Sequence, residues 1–368
     1  MRFRCERDTL LESLTTTSRA ASTRGGLPQS FSGIRVETKG DSVHMACSDM
    51  EVTIQTTLAV QGSSDGIGVV PGRLSVDIVR AFGEGTVAVE INDDEATFSC
   101  GRSQFNVKLL PVEDFPNLPH HSGEGVTVPA RELGEALLQV VRAASNDESK
   151  PLLTGVLMAA EKNGLRVVAT DSYRLAIRDL PGANVLKEGT TVLVPARALG
   201  ELQRVLSSAT DGQSVNMVLG TSEVAFEIGS VVLTARLLSG KFPNYEQLIP
   251  PSYPNQLVVS KAVLLDAVKR MKLLIKDNTT PVRMSQREDE VVLSVIMPEI
   301  GQAREDIDAK YSGSESAVAF NPNYLSEGVE AVSSDEVILE TIDSTKPATI
   351  RPITGDDFRY LLMPVRVS

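Results

Sequence analysis

One phrase recurs along this chain and governs what the chain can fold into. A short strand is followed by a Pro or polar residue, a basic residue and an amphipathic helix. It reads VPGRLSVDIVRAF from Val70, VPARELGEALLQVV from Val128, VPARALGELQRVL from Val194 and VVSKAVLLDAVKRM from Val258. Looser copies are RFRCERDTLLESL from Arg2 and AFNPNYLSEGVEAV from Ala319. Alternate copies lie about 125 positions apart, a period that marks a repeat architecture. At 368 residues the chain exceeds one compact core. Six copies therefore predict three domains, each built from two related halves.

Between the helices the pattern alternates with period two, as half-buried strands do. GIRVETKGDSVHMACSDMEVTIQTTLAV (33–60) predicts strands with turns at Lys39-Gly40-Asp41 and Ser48-Asp49. GVLMAAEKNGLRVVATDSYRLAIRDL (155–180) matches it without gaps at an offset of 122, pairing Asp49 with Asp171, and 280–300 is a more diverged copy. The domain ends repeat as well. FNVKLLPVEDFPNLP (105–119) resembles LTARLLSGKFPNYEQLIP (233–250), and FRYLLMPV (358–365) echoes the first, with Pro111-Val112 aligned on Pro364-Val365. Linkers near 117–127 and 246–256 then divide the chain into domains 1–120, 127–248 and 256–368. Helices on one face of antiparallel sheets, an α+β fold, suit this alternation.

A net charge of −12 argues at first against nucleic acid. Its distribution argues the other way. The six strand–helix windows carry a net +6, so the rest of the chain carries −18. If the helices share one surface, that surface is basic on an acidic body. Cys5, Cys47 and Cys100 are odd in number and widely spaced, which disfavours a zinc site or a disulfide framework. The sequence has no bilayer-length apolar run and no signal-peptide h-region at MRFRCERDTL, so a cytoplasmic protein is expected.

Repetition also sets a geometric limit. Six helices about 9.5 Å apart would close a ring only about 18 Å across between axes, too narrow for a duplex once roughly 10 Å of helix is subtracted. Twelve helices give about 36 Å between axes and about 25 Å clear, enough for a duplex roughly 20 Å wide. A ring would thus be a closed dimer, meeting phosphates without reading bases. Head-to-tail closure would also remove exposed sheet edges.

With the repeats in place, ATDSYRLA (169–176) after LLTGVL (152–157), KFPNY (241–245), NTTPVRMS (278–285), STKPATIRP (344–352) and YLLMPVRV (360–367) resemble the bacterial DNA polymerase III beta subunit, the sliding clamps. The resemblance runs over residues 1 to 368. It implies three clamp domains per chain and a head-to-tail homodimer encircling duplex DNA, tethering the replicative polymerase for processive DNA replication. It further implies that the clamp loader, ligase and repair proteins dock by short linear motifs in a pocket between the second and third domains. No cofactor or metal is implied, and no membrane.

Carried over residue by residue, the pocket falls on Leu153, Thr170, Ser172, Tyr173, Arg174, Leu175, Pro243, Gln247, Leu248, Leu361, Met363, Pro364 and Val365. Its Leu and Met side chains suit an apolar anchor, at about 1.5–3 kcal/mol for a buried Leu or Phe. Thr170 and Arg174 are expected to fix the peptide's polar parts. The same Leu, Met and Pro residues also read as plain core. The DNA-facing residues fall on Arg24, Arg73, Arg80, Lys150, Arg197 and Arg204, where Arg73 pairs with Arg197 and Arg80 with Arg204 at an offset of 124. Lys261, Lys269, Arg270, Lys272 and Lys276 form the densest basic cluster, and Glu327 and Glu330 make the last helix acidic. Phe105 and Val107 are expected to meet Leu273 and Leu274 of a second copy.

Gln247 stands where many clamps carry a basic residue, LPQSFSG (27–33) departs from a more apolar run, and Asp147 and Glu148 adjoin Lys150. These departures fit a replication clamp and equally a second-copy clamp insensitive to a clamp-binding inhibitor. A peptide-binding repeat scaffold that never encloses DNA is the other alternative. Catalysis has little support. His44, His120 and His121 sit in no triad or H-E-x-x-H setting, and Ser239-Gly240-Lys241 lacks the flanking residues of a phosphate loop. Asp171 is expected to close a turn, as Asp49 does, rather than to act as an acid.

Overall fold

The computed structural model describes residues 1–22, 27–119, 125–277, 279–355 and 357–366. All six phrases form helices: α1 (Arg7–Ser18), α2 (Gly72–Ala81), α3 (Ala130–Val140), α4 (Ala196–Leu206), α5 (Lys261–Met271) and α6 (Pro322–Ala331). Their apolar spacing sets which side is buried. In α2, Val76 and Val79 point inward while Arg73, Asp77 and Arg80 remain exposed. In α6 the Asn321 side chain caps the backbone N–H groups of Asn323 and Tyr324, and Pro322 occupies the first helical position.

The chain divides into two compact units, one comprising Met1–Arg131 with Glu201–Leu237 and the other Glu132–Gly200 with Leu238–Ser368. The first holds a five-stranded and an eight-stranded sheet, the second a nine-stranded and a four-stranded sheet, with antiparallel pairings throughout. Neither large sheet stops at a repeat boundary. In the first unit, strand Val231–Arg236 pairs with Val52–Ala59, joining strands from the first and second repeats. In the second, strand Arg174–Pro181 pairs with Phe358–Leu362, joining the second repeat to the third. The sequence predicts helices packed on the sheet of each domain; the continuous sheets are a further feature, built because each edge strand finds a partner in the next repeat.

The domain ends follow one rule with a different register from the one expected. After its last strand, each repeat returns to bond the strand preceding its second helix: Leu110 N to Val69 O at 2.8 Å, Leu238 N to Leu193 O at 2.8 Å and Val365 N to Ala319 O at 2.8 Å. Val69, Leu193 and Ala319 hold one position of the phrase, so Leu110 corresponds to Val365. The alignment of Pro111-Val112 on Pro364-Val365 is therefore two residues out. A shift of two keeps every side chain on the same face, which is why the apolar pattern does not reveal it.

Candidate partner-docking and DNA-facing sites

The turn at Asp171 is built entirely from local hydrogen bonds. Its Oδ1 accepts from Tyr173 N at 2.9 Å and Arg174 N at 3.0 Å, while Ser172 takes a left-handed φ of 81°. Asp49 repeats the arrangement, accepting from Glu51 N and Val52 N, with Met50 at φ 72°. Asp171 thus closes a turn, as its repeat partner predicts.

Thr170 and Arg174 are spent inside the fold. The Thr170 hydroxyl donates to Arg174 O at 2.6 Å and accepts from Ser172 N at 3.2 Å. Arg174 is only 9% exposed. Its Nε meets Asp171 Oδ2 at 3.0 Å, its Nη1 is ion-paired to Glu327, and its guanidinium lies 4.4 Å from the centre of the Tyr324 ring. Nη1 also lies 3.4 Å from the Tyr360 hydroxyl, which donates to Tyr324 O at 3.0 Å. Burial pushes the Tyr360 phenol well above its ordinary range, so it stays protonated as that donor. In this structure the polar groups of Thr170 and Arg174 are thus engaged within the fold. The Arg174 guanidinium ties strand Arg174–Pro181 to α6 and to strand Phe358–Leu362, while the Thr170 hydroxyl braces the turn itself.

Around this knot the remaining expected pocket residues separate into a floor and a rim. Leu175 and Leu361 stand opposite each other across the strand pair. Both are buried in one cluster with Leu157, Val168, Ile177, Leu193, Phe242 and Tyr245, against which Leu152, Leu238 and Ile249 pack. Leu153 is buried as well. Ser172, Tyr173, Pro243, Gln247, Leu248 and Met363 are exposed, with Pro364 and Val365 half-buried. Tyr173 is 60% exposed, yet its ring stacks on Tyr324 with centroids 6.4 Å apart. The backbone carries the sheet one step further, Met363 N donating to Tyr173 O at 2.9 Å. The segment bearing Gln247 and Leu248 is anchored by the buried Tyr245, whose carbonyl accepts from Leu248 N. Sequence reasoning missed Tyr324 and the pairing of Glu327 with Arg174. A tyrosine in the first turn of α6, where the second and fourth phrases carry Leu74 and Ala198, was the available signal.

The basic residues form a second group. Arg73, Arg80, Lys150, Arg197 and Arg204 are all exposed, and Arg24 lies outside the described residues. Seven-residue spacing sets Arg73 and Arg80 along one face of α2, and Arg197 and Arg204 along one face of α4. Each second arginine is held by an acid one turn earlier, Arg80 by Asp77 at 2.9 Å and Arg204 by Glu201 at 2.5 Å. The Arg80–Asp77 pair is exposed on both sides and worth about 0.3–0.5 kcal/mol, little enough for a phosphate to displace, whereas the Glu201 carboxylate is largely buried. Two members of the basic α5 cluster serve the fold. Lys261 Nζ donates to Glu330 O at 3.0 Å, and Arg270 forks onto both oxygens of Glu305. Lys269, Lys272 and Lys276 stay exposed. The acids of α6 are explained too, for Glu327 meets Arg174 and Glu330 meets Arg142 at 3.0 Å.

Of the residues expected at a subunit contact, Leu273 is 81% exposed and Phe105 is 43% exposed, packing on Phe82 at 5.7 Å between ring centres. Leu274 is half-buried. Val107 is packed inside its own unit and belongs to that core first. Among the described residues no group of three or more metal-ligating side chains occurs, and no helix is long and apolar enough to cross a membrane.

Repeated strand–helix halves, antiparallel sheets running from one repeat into the next and helix-borne arginines make up the three-domain sliding-clamp fold. Family models of the DNA polymerase III beta subunit match in order along the chain, the N-terminal domain at residues 1–119, the central domain at 127–244 and the C-terminal domain at 246–366. The chain is 33% identical over 380 residues to the beta sliding clamp of Streptomyces coelicolor, covering 100% of both, and 31% identical over 378 residues to that of Staphylococcus aureus, covering 100% of this chain and 99% of the relative. Among solved structures it is similar to DNA polymerase III subunit beta from Bartonella birtlesii, at 30% identity and a TM-score of 0.92, over 100% of both chains. It is likewise similar to the beta subunit from Thermotoga maritima, at 25% identity and a TM-score of 0.91, again over 100% of both. The chain belongs to the DNA polymerase III beta subunit family. It is a sliding clamp, a processivity factor with no catalytic activity of its own. The comparisons favour this reading over a non-encircling scaffold or an inhibitor-insensitive second copy.

Proposed function

We propose that two copies close head to tail around duplex DNA and that partner proteins dock on the Leu175–Leu361 floor. Closure rests on two of the strands that end a sheet among the described residues, Ser103–Lys108 in the five-stranded sheet and Gly301–Asp308 in the four-stranded sheet. The first is flanked by exposed Arg102 and Lys108, whereas the second carries Glu305, Asp306 and Asp308 against Arg304, a net charge of −2 in which Glu305 is paired with Arg270 and Asp306 with Arg304. Unlike edges attract and like edges repel, so head-to-tail pairing is selected over head-to-head. Phe105 of one copy then seats against Leu273 and Leu274 of the next, with Val107 supporting Phe105 from beneath.

Arg73, Arg80, Lys150, Arg197 and Arg204 face the enclosed duplex and meet its phosphates without base readout, and the family resemblance adds Arg24 to this set. The three domains run over 1–120, 127–248 and 256–368. In the docking pocket a partner's apolar side chain covers Leu175 and Leu361 between Tyr173, Leu248 and Met363, with Leu153, Ser172, Pro243, Gln247, Pro364 and Val365 around it. Thr170 and Arg174 hold that floor in place. The replicative polymerase, clamp loader, ligase and repair proteins compete for this surface in the cytoplasm. The observation that carries the reading is the pair of unpartnered, oppositely charged strand edges. Its test is retention on DNA after loading: nicked circles should hold the protein, and cutting them should release it. Equal retention on circles and open-ended linear DNA would defeat the ring.

A further inference from the structure

The two strand junctions are repeats of one another, and the helices beside them differ where they face across. In the second unit the Arg142–Glu330 ion pair is joined by a hydrogen bond from Gln139 Nε2 to Ala331 O at 2.8 Å, tying α3 to α6. The phrase places Thr16 and Arg19 at the positions of Gln139 and Arg142. It places Arg204 and Val205 at those of Glu330 and Ala331. In the first unit the ion pair therefore becomes two guanidiniums, and the bridging amide becomes a short hydroxyl.

What this leaves is a groove of about 660 Å3 between α1 and the end of α4, with Arg19 and Arg204 both in its wall. One carboxylate serves both. Glu201 Oε1 lies 2.5 Å from Arg204 Nη1, and its Oε2 lies 3.9 Å from Arg19 Nε. The counterpart of Glu201 is Glu327, which Arg174 engages; Val52 stands at the position of Arg174, so Glu201 Oε2 is buried with no hydrogen bond. Two cations on one carboxylate leave the basic end of the groove with a net positive charge. Asp8 and Glu12 line its other end. At 1.5 Å per residue they lie about 16 and about 10 Å along the helix from Arg19. That is a Debye length or more at 0.1 M salt, about 10 Å.

We propose that this groove binds a phosphodiester of duplex DNA and that Arg19 is a DNA-contacting residue beside Arg204. The inference deepens the clamp reading and rests on it. Arg142, the repeat counterpart, is matched one to one by Glu330, so that pair leaves no net positive charge to draw a phosphate.

The test is the salt dependence of affinity for a short linear duplex, read by fluorescence anisotropy for the wild-type dimer and for Arg19→Ala, Arg142→Ala and Glu201→Gln. One lost phosphate contact lowers the slope of log K against log salt by about 0.9. Arg19→Ala should show that loss, Arg142→Ala should match the wild type, and Glu201→Gln should tighten binding by releasing both arginines. An unchanged slope for Arg19→Ala, or equal losses for Arg19→Ala and Arg142→Ala, overturns the site. Because the duplex is linear, this result stands apart from ring closure, which the circle-cutting experiment decides separately.

Discussion

Thr53 stands directly opposite Thr234 across the junction of the eight-stranded sheet, where the repeat places Leu175 opposite Leu361 in the nine-stranded one. All four side chains are buried, and the Thr53 hydroxyl pairs with that of Ser48 at 2.7 Å. An apolar anchor gains by covering the exposed Tyr173, Leu248 and Met363 over a leucine floor, and a floor of hydrogen-bonded hydroxyls suits it less. One junction per chain therefore suits an apolar partner motif. Calorimetry with a partner peptide should give one site per chain, and Leu361→Thr should weaken binding at least tenfold, about 1.4 kcal/mol. Two sites per chain would show that the threonine junction also binds.

The buried Arg174 cluster carries stability that surface pairs do not. Arg174→Ala would leave Asp171 and Glu327 facing each other without their cation, a loss of about 3–5 kcal/mol for breaking a buried pair. Arg142→Ala removes an exposed partner of Glu330, with an expected cost below about 1 kcal/mol. Urea unfolding midpoints compare the two directly. Similar midpoints would mean that the Arg174 cluster is solvated in solution.

Much of this was legible in the sequence because repeats repeat their chemistry. Asp49 and Asp171 share a turn, Asp77–Arg80 and Glu201–Arg204 share an ion pair, and all six phrases became helices. What periodicity could not convey is pairing between repeats. An edge strand that reads VTIQTTLA has the same alternation whether or not Val231–Arg236 lies beside it. The acidic α6 looked anomalous for the same reason, since Glu327 and Glu330 answer arginines roughly 150 to 190 residues away in sequence. At the candidate site, composition marked Leu175 and Leu361 as apolar without separating floor from rim. The partners of Arg174, Asp171, Glu327 and Tyr360, were not legible from its position in the sequence.

The subunit contact proposed above depends on few exposed apolar groups, so one charge should open it. Leu273 is the most exposed large hydrophobic residue of the described chain. Leu273→Glu would bring a carboxylate against Phe105, and burying an unpaired charge costs several kcal/mol. Light scattering should then give the 39.5 kDa chain mass in place of twice that value. The fold should survive, because Leu273 contributes little burial to its own unit. Persistence of the dimer at micromolar concentration would place the contact elsewhere.

The turn that follows this apolar segment should respond to acid in a predictable window. Asp277 Oδ1 accepts from Thr279 N at 2.8 Å and Thr280 N at 2.7 Å, and the Thr280 hydroxyl bonds Oδ2. The bonds from the Thr280 and Thr279 amides favour the ionised carboxylate and hold its pKa down to about 2, below the ordinary 3.8. A depressed folded-state value means the turn's contribution is complete above about pH 4 and is lost as pH falls toward about 2. Carboxyl carbon shifts in NMR should follow Asp277 titrating near pH 2, with the Thr279 and Thr280 amide resonances moving at the same pH. In Asp277→Asn those amides should no longer move with acid. Titration of Asp277 at the ordinary aspartate value would mean that the turn is not formed in solution.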